Sequence, residues 1–128
     1  MLRFDDFVPG GELGVDELRL DDGHFLRWYK LFPDDRIHAP RMPPGMTAMV
    51  IMRAYTTVLV PRPAGNVHGE QRIELVRLPA LGDRLITRLS CSTKERKGER
   101  RWVRIATETS DAAGSLLFSG RMAILWAA

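Results

Sequence analysis

The chain is poor in the residues that build staples and metal centres: one cysteine, Cys91, and three histidines in 128 residues. A single cysteine excludes an internal disulfide and points to a reducing compartment, so a cytoplasmic setting is expected. No stretch approaches the ~18 consecutive apolar residues of a membrane span. The acidic opening, Met1-Leu2-Arg3-Phe4-Asp5-Asp6, is unlike a secretory leader. His24, His38 and His68 are scattered and the acidic residues do not cluster with them at ligand spacing, so no metal site is expected. Glycine-rich phosphate loops and serine or cysteine nucleophile signatures are also missing. Without repeats or low-complexity segments, residues 1–128 read as one domain, long enough to bury a core.

What is present belongs to an ordinary globular domain: 45% hydrophobic and 27% charged residues, with a formal net charge of +3. A mildly basic balance favours anionic partners. The dense basic run from Lys94 to Arg101 reads as a solvated hairpin tip, and no nucleic-acid partner is expected. Cys91 alternates with polar neighbours and reads as a small buried hydrophobe.

Hydrophobic periodicity divides the chain. Phe4 and Phe7 sit on an N-terminal arm expected to pack on the domain, followed by a short strand over Glu12–Leu20. Asp21 or Asp22 can cap a helix from about Gly23 to Phe32, burying Phe25, Trp28, Tyr29 and Phe32, and Pro33 ends it. Asp34 to Pro44 reads as an irregular loop. Gly45 to Leu59 is the strongest helix, apolar almost all round through Met46, Met49, Val50, Met52 and Tyr55, and expected to be buried on most sides. Alternating segments at His68–Leu78, Leu85–Lys94, Trp102–Thr109 and Leu116–Trp126, joined by glycine-marked turns, read as an antiparallel meander. A sheet with one apolar face needs a cover, and the Met-rich helix is the element long enough to supply it.

Chemistry concentrates in Leu31-Phe32-Pro33-Asp34-Asp35-Arg36-Ile37-His38, just before Pro43-Pro44-Gly45-Met46. Carboxylates and an imidazole stand here in a proline-bounded turn ahead of a helix that opens on glycine. An acid/base pair beside free helix N–H groups can polarise a carbonyl and move a proton next to it. On residue types alone, the simpler reading is that Asp34 follows a helix end and His38 is a loop residue near Arg36 or Arg41, and entry into the helix after Pro44 is enough to explain Gly45.

The order of these features resembles the MaoC-like branch of the hot-dog fold, the (R)-specific enoyl and 3-hydroxyacyl thioester hydratases and dehydratases, over nearly the whole length. The similar segments are Phe4-Asp5-Asp6-Phe7-Val8-Pro9-Gly10, the turn Pro79-Ala80-Leu81-Gly82-Asp83, and Ala113-Gly114 before an apolar last strand. The resemblance implies an α+β hot-dog domain, a five-stranded antiparallel sheet wrapped around a long central helix, working as a homodimer. It implies an acyl-thioester substrate on coenzyme A or an acyl carrier protein, with no other cofactor and no membrane or nucleic-acid partner. Asp34 is most like the family's catalytic aspartate and His38 like its histidine, and the Gly45 amide is implied to hold the thioester oxygen. Departures are visible. The aspartate-to-histidine spacing is one residue short, Asp35 and Arg36 replace an asparagine-proline, and Pro44 replaces a histidine before Gly45-Met46. The segment between His38 and Gly45 is also several residues short. These changes leave room for a biosynthetic dehydration or cyclisation, for thioester hydrolysis, or for a catalytically silent partner or ligand-binding subunit.

Further pocket candidates follow from position. Tyr29, Met46 and Met49 can line an apolar pocket, although core packing explains each equally well. His68, at a strand start, can face a tunnel mouth or simply end a solvated strand.

Overall fold

Chain order runs from a 3₁₀ turn at Phe4–Asp6 to β1 (Glu12–Arg19), α1 (Asp22–Leu31), a 3₁₀ helix at Pro33–His38, α2 (Met46–Val58), β2 (Val67–Leu75), β3 (Arg84–Lys97), β4 (Arg100–Ser110) and β5 (Leu116–Leu125). The computed structural model describes all of residues 1–128. The five strands form one sheet in the order β1-β3-β4-β5-β2, and every pairing is antiparallel. The β3–β4 and β4–β5 connections are tight hairpins. The chain reaches β2, the far edge, only after α2 has crossed the sheet face.

Register sets the core. Strand side chains alternate between faces, so directly opposed residues share one. Cys91, Ile105 and Met122 stand opposite one another across β3, β4 and β5, and all are buried. The next inward rows are Leu89–Thr107–Gly120 and Thr87–Thr109–Phe118. Onto these rows α2 lays Met46, Val50, Ile51, Ala54 and Tyr55, all buried. Contact is close: a β-carbon on Gly120 would stand 2.6 Å from Thr107 Oγ1 and 2.9 Å from Ile51 Cδ1. Gly14 has φ +153°, and a β-carbon there would lie 2.6 Å from Val58 Cγ1, so the C-terminal end of α2 also packs on β1 through a glycine. A sheet folded around one helix in this way is the α+β hot-dog arrangement expected from the sequence.

Three expectations need correction. The central helix is buried on one side only: Ala48, Thr56 and Thr57 are exposed, and Met49, Met52 and Val58 are half-buried at the margin of the core. The basic hairpin is not purely solvated. Lys94 Nζ lies 4.8 Å and the Arg96 guanidinium 5.0 Å from the Phe4 ring centre, and Lys94 donates to the Phe4 carbonyl at 3.1 Å. Cation–π attraction and the aliphatic stems of these residues thus hold the N-terminal arm down. The arm itself packs as expected, with Phe7 edge-on to Trp126 at 4.8 Å between ring centres. Finally, the segment read as irregular begins with the regular 3₁₀ helix Pro33–His38.

Candidate active site

The turn that carries His38 is built by α1. Asp21 caps that helix, its Oδ1 accepting from the His24 amide at 3.0 Å while His24 Nδ1 accepts from the Asp21 amide at 3.2 Å. Such reciprocal capping satisfies two otherwise unpaired donors. The same amide bond is the leading cause holding the Asp21 carboxyl below its usual range. At the other end Pro33 has no N–H to give, and the chain tightens into the 3₁₀ helix.

Two consecutive residues fasten that helix back onto α1. Trp28 Nε1 donates to Asp35 Oδ2 at 2.8 Å, and the Arg36 guanidinium lies 4.9 Å from the Tyr29 ring centre. The Trp28 and Phe32 rings stack at 4.7 Å. Downstream, Pro40 to Met42 is tied to the Pro79–Asp83 turn: Met42 N donates to the Pro79 carbonyl at 2.8 Å and Leu81 N to the Pro40 carbonyl at 2.9 Å. That turn is closed by Asp83 Oδ2, which accepts from the Ala80 amide at 2.8 Å. The Gly-Asp signature noted in the sequence therefore fixes the approach to α2.

At the start of α2 the first donors are partly spent. Met46 N bonds the Pro43 carbonyl at 3.0 Å and Thr47 N the Pro44 carbonyl at 3.2 Å, while the Gly45 N–H has no acceptor in the chain. Gly45 itself lies under Trp28, whose Cζ2 would be 3.1 Å from a β-carbon placed there. One indole thus holds the Asp35 carboxylate by its N–H and stands beside the exposed Gly45 by its benzo edge.

Each residue singled out from sequence has a definite place. Asp34 and His38 are exposed, and neither side chain makes a hydrogen bond or ion pair within the chain. Four residues apart on a helix of three residues per turn, they project about 120° apart around its axis. Tyr29 is buried beneath Arg36, and Met46 is fully buried; both serve the core. Met49 is half-buried, on the flank of α2. His68 is exposed on the edge strand β2, at the other side of the sheet from β1. Phe32, expected in the core, is half exposed because its ring stacks on the outer side of Trp28. The structure therefore brings Gly45 to the His38-bearing turn, but through Trp28 and Asp35, which the sequence reading left outside the site. Their signal was present: Asp35 stands three residues before His38, and Trp28 in the last turn of α1.

Cys91 is fully buried, and burial pushes its thiol pKa up, which removes it as a nucleophile. No group of three or more His, Cys, Asp or Glu side chains converges to hold a metal ion. Two clefts of about 270 and 300 Å³ flank Arg72 and Arg121 on the solvent face of the sheet, away from the turn.

No family model matches the sequence, and no curated protein matches it. Solved structures do. The fold is that of the MaoC-like hot-dog proteins. A MaoC-like dehydratase from Rhodospirillum rubrum superposes with a TM-score of 0.81 at 14% identity, over 100% of this chain and 99% of its own. The unliganded (R)-hydratase from Pseudomonas aeruginosa gives 0.75 at 20% identity, over 96% and 84%. A thioesterase protein from Streptococcus pneumoniae with coenzyme A gives 0.65 at 10% identity, over 88% and 78%. At these identities the likeness establishes the fold.

Proposed function

We propose that this protein adds water to, or removes it from, an acyl thioester, acting on an enoyl or 3-hydroxyacyl group carried by coenzyme A or an acyl carrier protein. The observation that carries the reading is the free N–H of Gly45, a residue that stands beside the indole holding a carboxylate of the His38-bearing turn. A donor, a carboxylate and an imidazole within one short segment are the parts that hydration of an activated double bond needs. An (R)-hydratase and a MaoC-like dehydratase with this fold support the reaction class.

In the hydration direction, a carboxylate of the turn orients a water and His38 takes its proton. The hydroxide oxygen bonds to the β-carbon, and the double-bond electrons move toward the thioester as an enolate whose oxygen sits at the Gly45 N–H. The enolate collapses as the proton on His38 passes to the α-carbon. One water is added across one double bond, with no further reactant. A well-placed donor or base of this kind is worth about 100-fold in rate. The chemistry adds the elements of water with no net oxidation or reduction, so the reading uses no cofactor beyond the arm that carries the acyl group. It sets the reaction in the cytoplasm, where a lone thiol stays reduced.

The reading includes a homodimer. The edge strand β2 is exposed along most of its length, and Leu31, Phe32 and Ile37 beside the turn are exposed apolar residues, Ile37 at 84%. An open edge and an uncovered apolar rim are what a second copy covers.

The test is crotonyl-CoA with wild-type protein, following loss of the enoyl absorbance and, separately, free thiol. Reversible loss without thiol is expected. Thiol release without hydration replaces the reading with thioester hydrolysis. Inactivity on short and medium enoyl thioesters sinks it, and activity appearing only with a co-purified second chain makes this protein the silent subunit.

A further inference from the structure

The geometry points to Asp35, rather than Asp34, as the carboxylate that works with His38, and to Trp28 as the residue that positions it; the inference rests on the hydration reading above. Helix geometry comes first. Residues three apart on a 3₁₀ helix eclipse one another, so Asp35 and His38 share a face of Pro33–His38 while Asp34 shares one with Ile37. Ile37 is 84% exposed and Asp34 is exposed, so their shared face looks outward. Asp35 is the half-buried member of the acidic pair.

Restraint is the second argument. Asp34 has no partner, and a free surface carboxylate samples many rotamers. Asp35 accepts the Trp28 indole N–H at 2.8 Å through Oδ2, which fixes the carboxylate plane and leaves Oδ1 without a partner in the chain. A carboxylate held by one oxygen and open at the other is suited to orient a water.

Third, the same indole stands beside the residue that carries the proposed oxyanion donor, with Cζ2 3.1 Å from a β-carbon position on Gly45. Trp28 thereby bridges the Asp35 carboxylate and Gly45. In the reaction, Asp35 Oδ1 accepts one hydrogen bond from the water while His38 removes the other proton. That proton ends on the α-carbon, so Asp35 returns unchanged.

The test compares hydration of crotonyl-CoA by wild type, Asp34→Asn, Asp35→Asn, Asp35→Glu and Trp28→Phe, with circular dichroism confirming the folded fraction of each. Asparagine keeps an oxygen for the indole, so Asp35→Asn is expected to fold normally and to lose kcat by about 100-fold. Its loss should exceed that of Asp34→Asn by at least about tenfold. Asp35→Glu should recover part of the rate, and Trp28→Phe should lower kcat about tenfold with little change in KM, because it disturbs orientation and not binding. A larger loss in Asp34→Asn than in Asp35→Asn overturns the inference and leaves the hydration reading standing. Equal loss in both, or a Trp28→Phe effect confined to KM, overturns it as well. A wild-type protein inert on enoyl thioesters overturns the hydration reading and the inference with it.

Discussion

The Trp28 indole lies against Gly45, with Cζ2 3.1 Å from the point a β-carbon would occupy. The Gly45 backbone has φ −64° and ψ −25°, which any L-residue adopts, so the glycine is explained by the indole above it and not by its own torsions. Gly45→Ala should therefore cost little stability but push the ring aside, and with it the Asp35 carboxylate. Hydration should fall about tenfold, as small misplacements do, and the near-ultraviolet circular dichroism of the tryptophans should change while the far-ultraviolet spectrum does not. An unchanged rate would show that the contact has no part in the chemistry.

The close approach at Gly120 gives the opposite profile. A β-carbon there would meet Thr107 Oγ1 at 2.6 Å and Ile51 Cδ1 at 2.9 Å, between a central strand and a packed helix. Neither neighbour can withdraw without opening the core. Gly120→Ala should destabilise by about 1–3 kcal/mol, read as a lower urea midpoint with an unchanged m-value. Thr107 is itself buried with an unpartnered hydroxyl. Thr107→Val keeps its shape and removes the unpaired group, so it should raise stability by up to about 1 kcal/mol.

Much of this frame was legible before any coordinates. Strand alternation and turn glycines located the meander because they report directly on a two-residue period and on positive φ at Gly98 and Gly114. Asp21 as cap and Pro33 as terminator were readable because both act on their own helix ends. The site was read less well, since its organisation is not periodic. The choice between Asp34 and Asp35 depends on a 3₁₀ pitch that a proline-rich loop does not announce. The contact from Trp28 to Gly45 joins residues 17 apart through a side chain that local spacing assigned to the core. Phe32 was likewise placed inside by helical spacing, whereas its stacking on Trp28 keeps it at the rim.

The β4–β5 hairpin predicts a pH dependence. Asp111 Oδ1 accepts from the amides of Ser115 at 2.9 Å and Ala113 at 3.0 Å, and Oδ2 from Arg77 at 2.6 Å. These bonds, the Ser115 amide first, hold its carboxyl below the usual range. A lowered folded-state value means the unfolded chain takes up the proton first as pH falls. The stabilisation is therefore complete above the ordinary carboxylate range, about pH 4, and is lost as pH drops through the lowered value. Asp111→Asn should reduce stability near neutrality and narrow the gap between neutral and strongly acidic samples, measured by urea unfolding at each pH. An unchanged gap would remove Asp111 from the acid response.

Cys91 supplies a last test, of the core itself. Its side chain is fully buried opposite Ile105, and burial pushes the thiol pKa up. Reaction with a thiol reagent needs both exposure and the thiolate, and the native state offers neither. Labelling at neutral pH should therefore be slow in buffer and accelerate sharply across the urea transition, at a rate set by opening of β3–β5. Gly120→Ala should speed native-state labelling in proportion to its loss of stability, because it weakens the same three strands. Rapid labelling of the folded wild type would mean that this sheet opens locally, and the burial described for Leu89, Cys91 and Ile105 would need revision.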